Sequence, residues 1–241
     1  MKLLFAALFS LSSLTGMAQA SKVLEDPNAQ ERTLKASFHA IQVSDGVELF
    51  LVSDASEKLV VSVTEGDADL MNRFKTVVEN GVLKLYYNRE GLKLNLNRNR
   101  KLKAYVAYKE IDNLDASAGS RVHWMKSAAL KDLTLKITSG ARVEGELAVG
   151  KLEVEQNSGS IAEISGKALH LNVDVSSGAM FKGFDFSTQT CDAKATSGAA
   201  IRVTIDKELS AKANSGGGIQ YKGEAVIKDI KVNSGGSVKR A

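Results

Sequence analysis

The chain has 241 residues, 32 of them Lys or Arg and 28 Asp or Glu, for a formal net charge of +4 at neutral pH. So small an excess makes no electrostatic case for nucleic acid or an anionic membrane as a partner. The only cysteine, Cys191, excludes an intrachain disulfide framework and, set in a strand pattern, reads as a small buried hydrophobe.

Residues 1–20 are predicted to be an export signal. Lys2 gives the positive start, Leu3 to Leu14 the apolar run, and Ala18-Gln19-Ala20 the small-x-small cleavage pattern. The run is shorter than the roughly 20 residues a spanning helix needs. No transmembrane segment is expected after cleavage, and no cysteine near Ser21 suggests a lipid anchor. Residues 21–34, polar and holding Pro27, read as a flexible leader.

From residue 35 the pattern turns to strands. Ile41, Val43, Val47, Leu49 and Leu51 are spaced mostly by two, as are Leu59, Val61 and Val63. Asp67 and Asp69 offer N-caps for a short helix carrying Leu70, Phe74 and Val77. Asn80-Gly81, between two apolar runs, predicts a type I′ hairpin turn. Leu92, Leu94 and Leu96 alternate with polar residues, and so do Leu102, Ala104 and Val106. Residues 35–110 are therefore expected to be divergent N-terminal strands.

Residues 111–241 carry a repeat. A small or polar pair followed by glycine recurs at Gly119, Gly140, Gly159, Gly178, Gly198, Gly216 and Gly235, at intervals of 21, 19, 19, 20, 18 and 19 residues. A near-fixed period of this length marks units that bury their apolar side only by stacking. Alternating stretches such as Leu133-x-Leu135-x-Ile137 precede the motif, and a second apolar position, such as Val122, Val143 or Ile201, follows it. Two short strands and two corners per period, or two to three strands per turn, predict an all-β fold, a parallel β-helix with coils of about 19 residues. Ser, Thr or Asn two places before each glycine is expected to form a side-chain ladder, with the glycine supplying positive φ. The Gly216-Gly217-Gly218 tract is not read as a phosphate loop, because a strand follows it rather than a helix.

These features together resemble the auto-transporter adhesin, head GIN domain family. The likeness rests on Phe38-His39-Ala40-Ile41-x-Val43-x-x-Gly46-Val47, on Val78-Glu79-Asn80-Gly81-Val82-Leu83-Lys84-Leu85 and on the serial Ser-Gly corners, and it runs from about Ala36 onward. The resemblance implies a right-handed parallel β-helix (solenoid) over residues 35–241 in a bacterial envelope or secreted protein. It brings no catalytic residue with it. With six residues after Gly235, no translocator barrel is expected on this polypeptide.

The chemistry-bearing residues are sparse. Glycoside hydrolysis needs two carboxylates roughly 5–9.5 Å apart, and one period of offset nominates Asp112 or Asp115 with Asp132, and Asp174 with Asp192. The intervals give no clean carboxylate column, so these read as solvent-facing charges. His39, His123 and His170 share no spacing and suggest neither a metal nor a nucleophile–base pair. The basic stretch Asn97-Arg98-Asn99-Arg100-Lys101-x-Lys103 could meet an anionic glycan or head group, but reads first as a solvated face. Trp124 with Tyr105 and Tyr108 could offer an aromatic platform, but reads first as packed.

No catalytic, metal or cofactor-binding residue is assigned, and no cofactor is expected. The expected function is non-enzymatic: adhesion, carbohydrate binding or a structural role in an exported protein that is periplasmic, outer-membrane-associated or secreted. A glycan or cell-envelope component is the expected partner. The alternative is a polysaccharide lyase or hydrolase built on the same fold.

Overall fold

The computed structural model describes residues 28–63, 67–91 and 101–241. The predicted export signal, Leu92, Leu94 and Leu96, and the Asn97–Arg100 part of the basic stretch lie outside the described residues. In chain order the strands are β1 (Gln30–Glu31), β2 (Ala40–Val43), β3 (Val47–Ser53) and β4 (Lys58–Val63), then helix α1 (Ala68–Arg73), β5 (Phe74–Glu79), β6 (Val82–Tyr87) and β7 (Leu102–Tyr108). They continue as β8 (Asn113–Ala116), β9 (Arg121–Trp124), β10 (Ala128–Ile137), β11 (Arg142–Gln156), β12 (Ile161–Val175) and β13 (Met180–Ala195). The last are β14 (Ala200–Ala213), β15 (Gly218–Lys222), β16 (Val226–Val232) and β17 (Ser237–Arg240).

The chain coils because of its corners. In Ser176-Ser177-Gly178-Ala179 both central residues have positive φ, 53° and 70°, and the Ala179 amide donates to the Ser176 carbonyl at 3.1 Å. This is a type I′ turn. The same signs of φ recur at Ala118-Gly119, Ser139-Gly140, Ser158-Gly159, Ser197-Gly198, Ser215-Gly216 and Ser234-Gly235. Each glycine amide then points along the rod. Gly159 donates to the Ser177 carbonyl, Gly178 to Ser197 and Gly198 to Ser215, each at 3.1 Å. The expected ladder is therefore a backbone ladder. Among the described residues the Ser, Thr and Asn side chains two places before the glycines do not build it, because the turn already aims a backbone donor at the next corner. A left-handed serine costs about 1–2 kcal/mol. The corners hold because hydrogen bonds from both neighbouring coils fix them.

Between corners each full coil is one continuous strand bent twice, the upper end of the two to three strands per turn expected. In β11 the buried residues are Val143, then Leu147 and Val149, then Leu152, Val154 and Gln156. The in–out alternation slips between Val143 and Leu147 and again between Val149 and Leu152. Those slips are the bends, so each coil has three sides. Parallel register stacks equivalent residues into columns such as Leu114, Leu135, Val154, Val173, Ala193 and Ala211, all buried. A fully buried Leu or Val contributes about 1.5–3 kcal/mol, so the columns set the stability of the rod. Cys191 occupies one of them, between Leu171 and Leu209, and burial pushes its thiol pKa far up. It is a core residue, as its strand setting implied.

The largest departure from expectation lies before the repeats. Ser44-Asp45-Gly46-Val47 is an eighth corner, with φ of 60° and 77°, and Gly46 donates to the Ala118 carbonyl at 3.0 Å. Strands β2 and β3 flank it and pair parallel with β8 and β9, so residues 40–53 form a regular coil against residues 113–124. On the opposite side β6 and β7 pair parallel with the same β2 and β3. In space β6–β7 therefore comes first, then β2–β3, then β8–β9, although the chain makes β2–β3 first. The intervening segment folds back beneath the coil that precedes it.

That end of the rod is closed by antiparallel strands. β5 pairs with β6, β4 with β7, and β1 with β4. Turning the last ladders antiparallel ends the stacking and covers an edge that would otherwise recruit another strand. The Asn80-Gly81 hairpin is present, with φ of 51° and 74°. Asp67 caps α1 by accepting from the Asp69 and Leu70 amides at 2.9 and 3.1 Å, and the helix buries Leu70 and Met71. It stops before Phe74 because residues 74–79 are claimed by β6. Gln30 and Glu31, inside the segment expected to be flexible, pair with Val61 and Val60.

Candidate functional site

The fold separates most of the residues the sequence nominated. Trp124 and Tyr108 turn into the rod, where the indole Nε1 donates to the Tyr108 hydroxyl at 3.0 Å, so they form no surface platform. Gly145 makes room for that indole: a Cβ there would lie 2.6 Å from the Trp124 Cβ. Register places Asp174 opposite Lys194, with which it pairs at 2.7 Å, and Asp192 opposite Asn172. Asp115 stands opposite Lys136 and Asp132 opposite Lys151, while Asp112 bonds His39 at 3.1 Å. No nominated carboxylate faces its proposed partner. Of the basic stretch, Lys101 and Lys103 are described: Lys101 is exposed, and Lys103 lies 4.0 Å from Glu48. His39 and His170 are exposed, whereas His123 is not.

His123 stands on the outer side of β9, with Phe50 opposite it on β3 and Glu144 opposite it on β11. Its Nδ1 lies 2.6 Å from Glu144 Oε1, and Nε2 lies 3.5 Å from Glu48 Oε1, an ion-pair distance without hydrogen-bond geometry. The ring stacks on Phe50, with centroids 5.1 Å apart and planes 17° apart. Phe50 and Met125, with Tyr105 against them, form a small apolar cluster outside the main core. Burial by itself lowers the imidazole pKa, but the two carboxylates outweigh it and raise His123 to about 9. His123, hydrogen-bonded to Glu144 and at ion-pair distance from Glu48, in turn lowers the pKa of both carboxylates. A histidine held protonated at neutral pH is no general base. This is an ionic clasp across three coils.

A second irregularity interrupts the opposite half of the rod. β13 has 16 residues and its neighbour β14 has 14. Their register jumps from Gly183 opposite Val203 to Ser187 opposite Thr204, leaving residues 184–186 without partners on β14. Such bulges re-aim side chains. Phe186 turns inward and is fully buried, while Phe184 stays half-buried on the outside. Thr204 Oγ1 anchors the bulge by donating to the Phe184 carbonyl at 2.7 Å. Lys222 Nζ lies 4.4 Å from the Phe184 ring centroid and Arg202 Cζ lies 6.0 Å from it. Both cations are exposed, and among the described residues neither has a carboxylate at ion-pair distance. Sequence reasoning missed this site. Its signal was the 20-residue interval from Gly178 to Gly198 beside the 18-residue interval that follows.

With that geometry in place, comparison with known proteins is informative about the fold. The model of the family described as Putative auto-transporter adhesin, head GIN domain matches residues 37–225. Two solved structures named putative adhesins are similar. The one from Bacteroides fragilis has a TM-score of 0.78 at 14% identity, covering 88% of this chain and 96% of its own. The one from Parabacteroides merdae has a TM-score of 0.67 at 16% identity, covering 90% and 97%. A structure named a putative lipid binding protein, from Parabacteroides distasonis, has a TM-score of 0.62 at 18% identity, covering 88% and 96%. No curated protein matches the chain. The family model spans the coils from β2 through β15, and the chain belongs to the Putative auto-transporter adhesin, head GIN domain family.

Proposed function

We propose that this is an exported, non-enzymatic adhesion-type protein whose rod recognises a glycan or another cell-envelope component along its flank. One observation carries the reading: a half-buried aromatic ring and two cations without carboxylate partners among the described residues are displayed by a bulge on an otherwise regular, rigid face. The stacked coils keep outward residues in register at about 4.8 Å per step. An extended ligand can follow such a face over several coils, and solenoids serve binding through surfaces of this kind. Family membership supports the adhesion-type role and placement in the envelope or at the cell surface. A glycan array probed with the purified chain tests it. Retention on at least one class of envelope or matrix glycan is expected, and silence on every class sinks the reading.

A further inference from the structure

We infer that the Phe184 bulge is the binding site for an anionic polysaccharide, a sugar chain carrying carboxylate or sulfate groups. The inference rests on the recognition reading above and gives its ligand a chemical class. Three observations converge on one face. The first is electrostatic: Arg202 and Lys222 share the Phe184 ring, at 6.0 and 4.4 Å from its centroid. Two like charges held together raise the local positive potential. Attraction to the ring face offsets part of that cost, by about 0.5–1 kcal/mol for an exposed pair. It leaves the N–H donors free. The guanidinium of Arg202 makes no hydrogen bond among the described residues, so its forked donors remain open to a planar or tetrahedral anion.

The second observation is directional. Lys182, Arg202, Gln220 and Lys239 stand opposite one another on successive coils, an outward column parallel to the rod axis. Arg240, paired with Glu224 at 2.8 Å, borders it. Lys182 is paired with Glu163 at 3.2 Å, and that carboxylate lies at the far end of the column from Lys239. The positive charge is thus drawn out along the axis, which suits a linear polyanion better than a compact one.

The third is that, among the described residues, no exposed large aliphatic side chain stands beside the Phe184 ring and its cations on this face. Of the exposed large apolar side chains among the described residues, Val226, Ile227, Ile230 and Val232 belong to β16, a later side of its coil, Leu169 lies in the second half of β12, and Tyr86 lies in β6 toward the other end of the rod. A membrane-docking face would set such side chains beside its cations. This one sets Gln220 and Thr204 there. A polymer that stays in water is the better occupant.

The test uses the purified chain with dextran sulfate and polygalacturonate as probes. Unsulfated dextran is the neutral comparison, and phosphatidylglycerol vesicles stand for a lipid surface. The site variant is Arg202→Ala with Lys222→Ala; the control is Lys194→Ala with Lys212→Ala, which removes equal charge from a different side of the coil. Binding to one or both charged polymers is expected, weakening as salt rises. The site variant should bind roughly tenfold or more weakly, the loss expected when a charge-assisted contact goes. The control should bind within about threefold of the parent, and both variants should melt within a few degrees of it, since all four residues are exposed. Equal loss in site variant and control overturns the inference, as does binding to vesicles in place of the polymers. If a neutral glycan is retained and neither charged polymer is, the inference falls while the recognition reading stands. Retention of no glycan at all removes both.

Discussion

Gly166→Ala should destabilise the rod by about 3–5 kcal/mol, among the largest effects of any single methyl group added to this chain. Gly166 has φ of 106°, and a Cβ there would lie 2.1 Å from the Leu147 carbonyl oxygen, a backbone atom in the neighbouring coil. No side-chain rotation relieves that clash. The alanine would have to push β12 away from β11 where Leu147 and Gly166 are in register. The corner glycines make the opposite case. Gly178 has φ of 70°, with nothing within 4 Å of its missing Cβ, so Gly178→Ala carries only the left-handed penalty of about 1–2 kcal/mol. A β-branched Gly178→Val should cost more than the alanine, because valine tolerates that backbone less well. Urea midpoints for the two alanine variants decide the matter: Gly166→Ala must fall well below Gly178→Ala. Equal midpoints would mean that the coils part easily at Gly166.

The second large effect is a loss of stability on the alkaline side that belongs to His123. Its folded pKa, about 9, lies above the ordinary value of 6.5. A group raised in this way contributes in full below pH 6.5, and its contribution disappears as pH rises through about 9. The gain is about 2 kcal/mol once screening at the half-exposed Glu144 is allowed for. Melting temperature should therefore fall between pH 6.5 and 9.5 more steeply in the parent than in His123→Gln. Above that range the two proteins should converge. Parallel curves through the whole window would show that His123 is not protonated in the folded rod.

What the sequence made legible follows from where its signals are local. A type I′ corner must hold glycine at one fixed place and a small residue beside it, so the corners from Ala118-Gly119 to Ser234-Gly235 stand out as a period. The Asn80-Gly81 hairpin was readable for the same reason. Ser44-Asp45-Gly46 uses the same turn but carries Asp where most corners have Ser, and its stacked neighbour, Ala118-Gly119, is far along the chain. Nothing in a local pattern reveals that β6 and β7 return to lie beneath β2 and β3. That the coil has three sides rather than two was written in the two slips of alternation within β11, which a reading tuned to short alternating stretches passes over.

The sites obey the same division. Glu144 lies one period beyond His123, so that half of the clasp was open to sequence reasoning. Glu48 comes from the misplaced coil and could be paired only once the order of coils was known. At the Phe184 bulge the intervals were visible, but two successive unequal periods do not say which residue is extruded. Register does. Trp124 and the aspartates behaved as their ordinary chemistry suggested, packed in the one case and cross-paired with lysine or solvated in the other.

The most direct test of a recognition rod without catalysis is product release. Each polysaccharide that the purified chain retains would be incubated with it and assayed for new reducing ends and for the unsaturated sugars a lyase leaves. The account predicts retention with neither product above a protein-free blank. New chain ends that scale with protein concentration would contradict it and make this rod an enzyme.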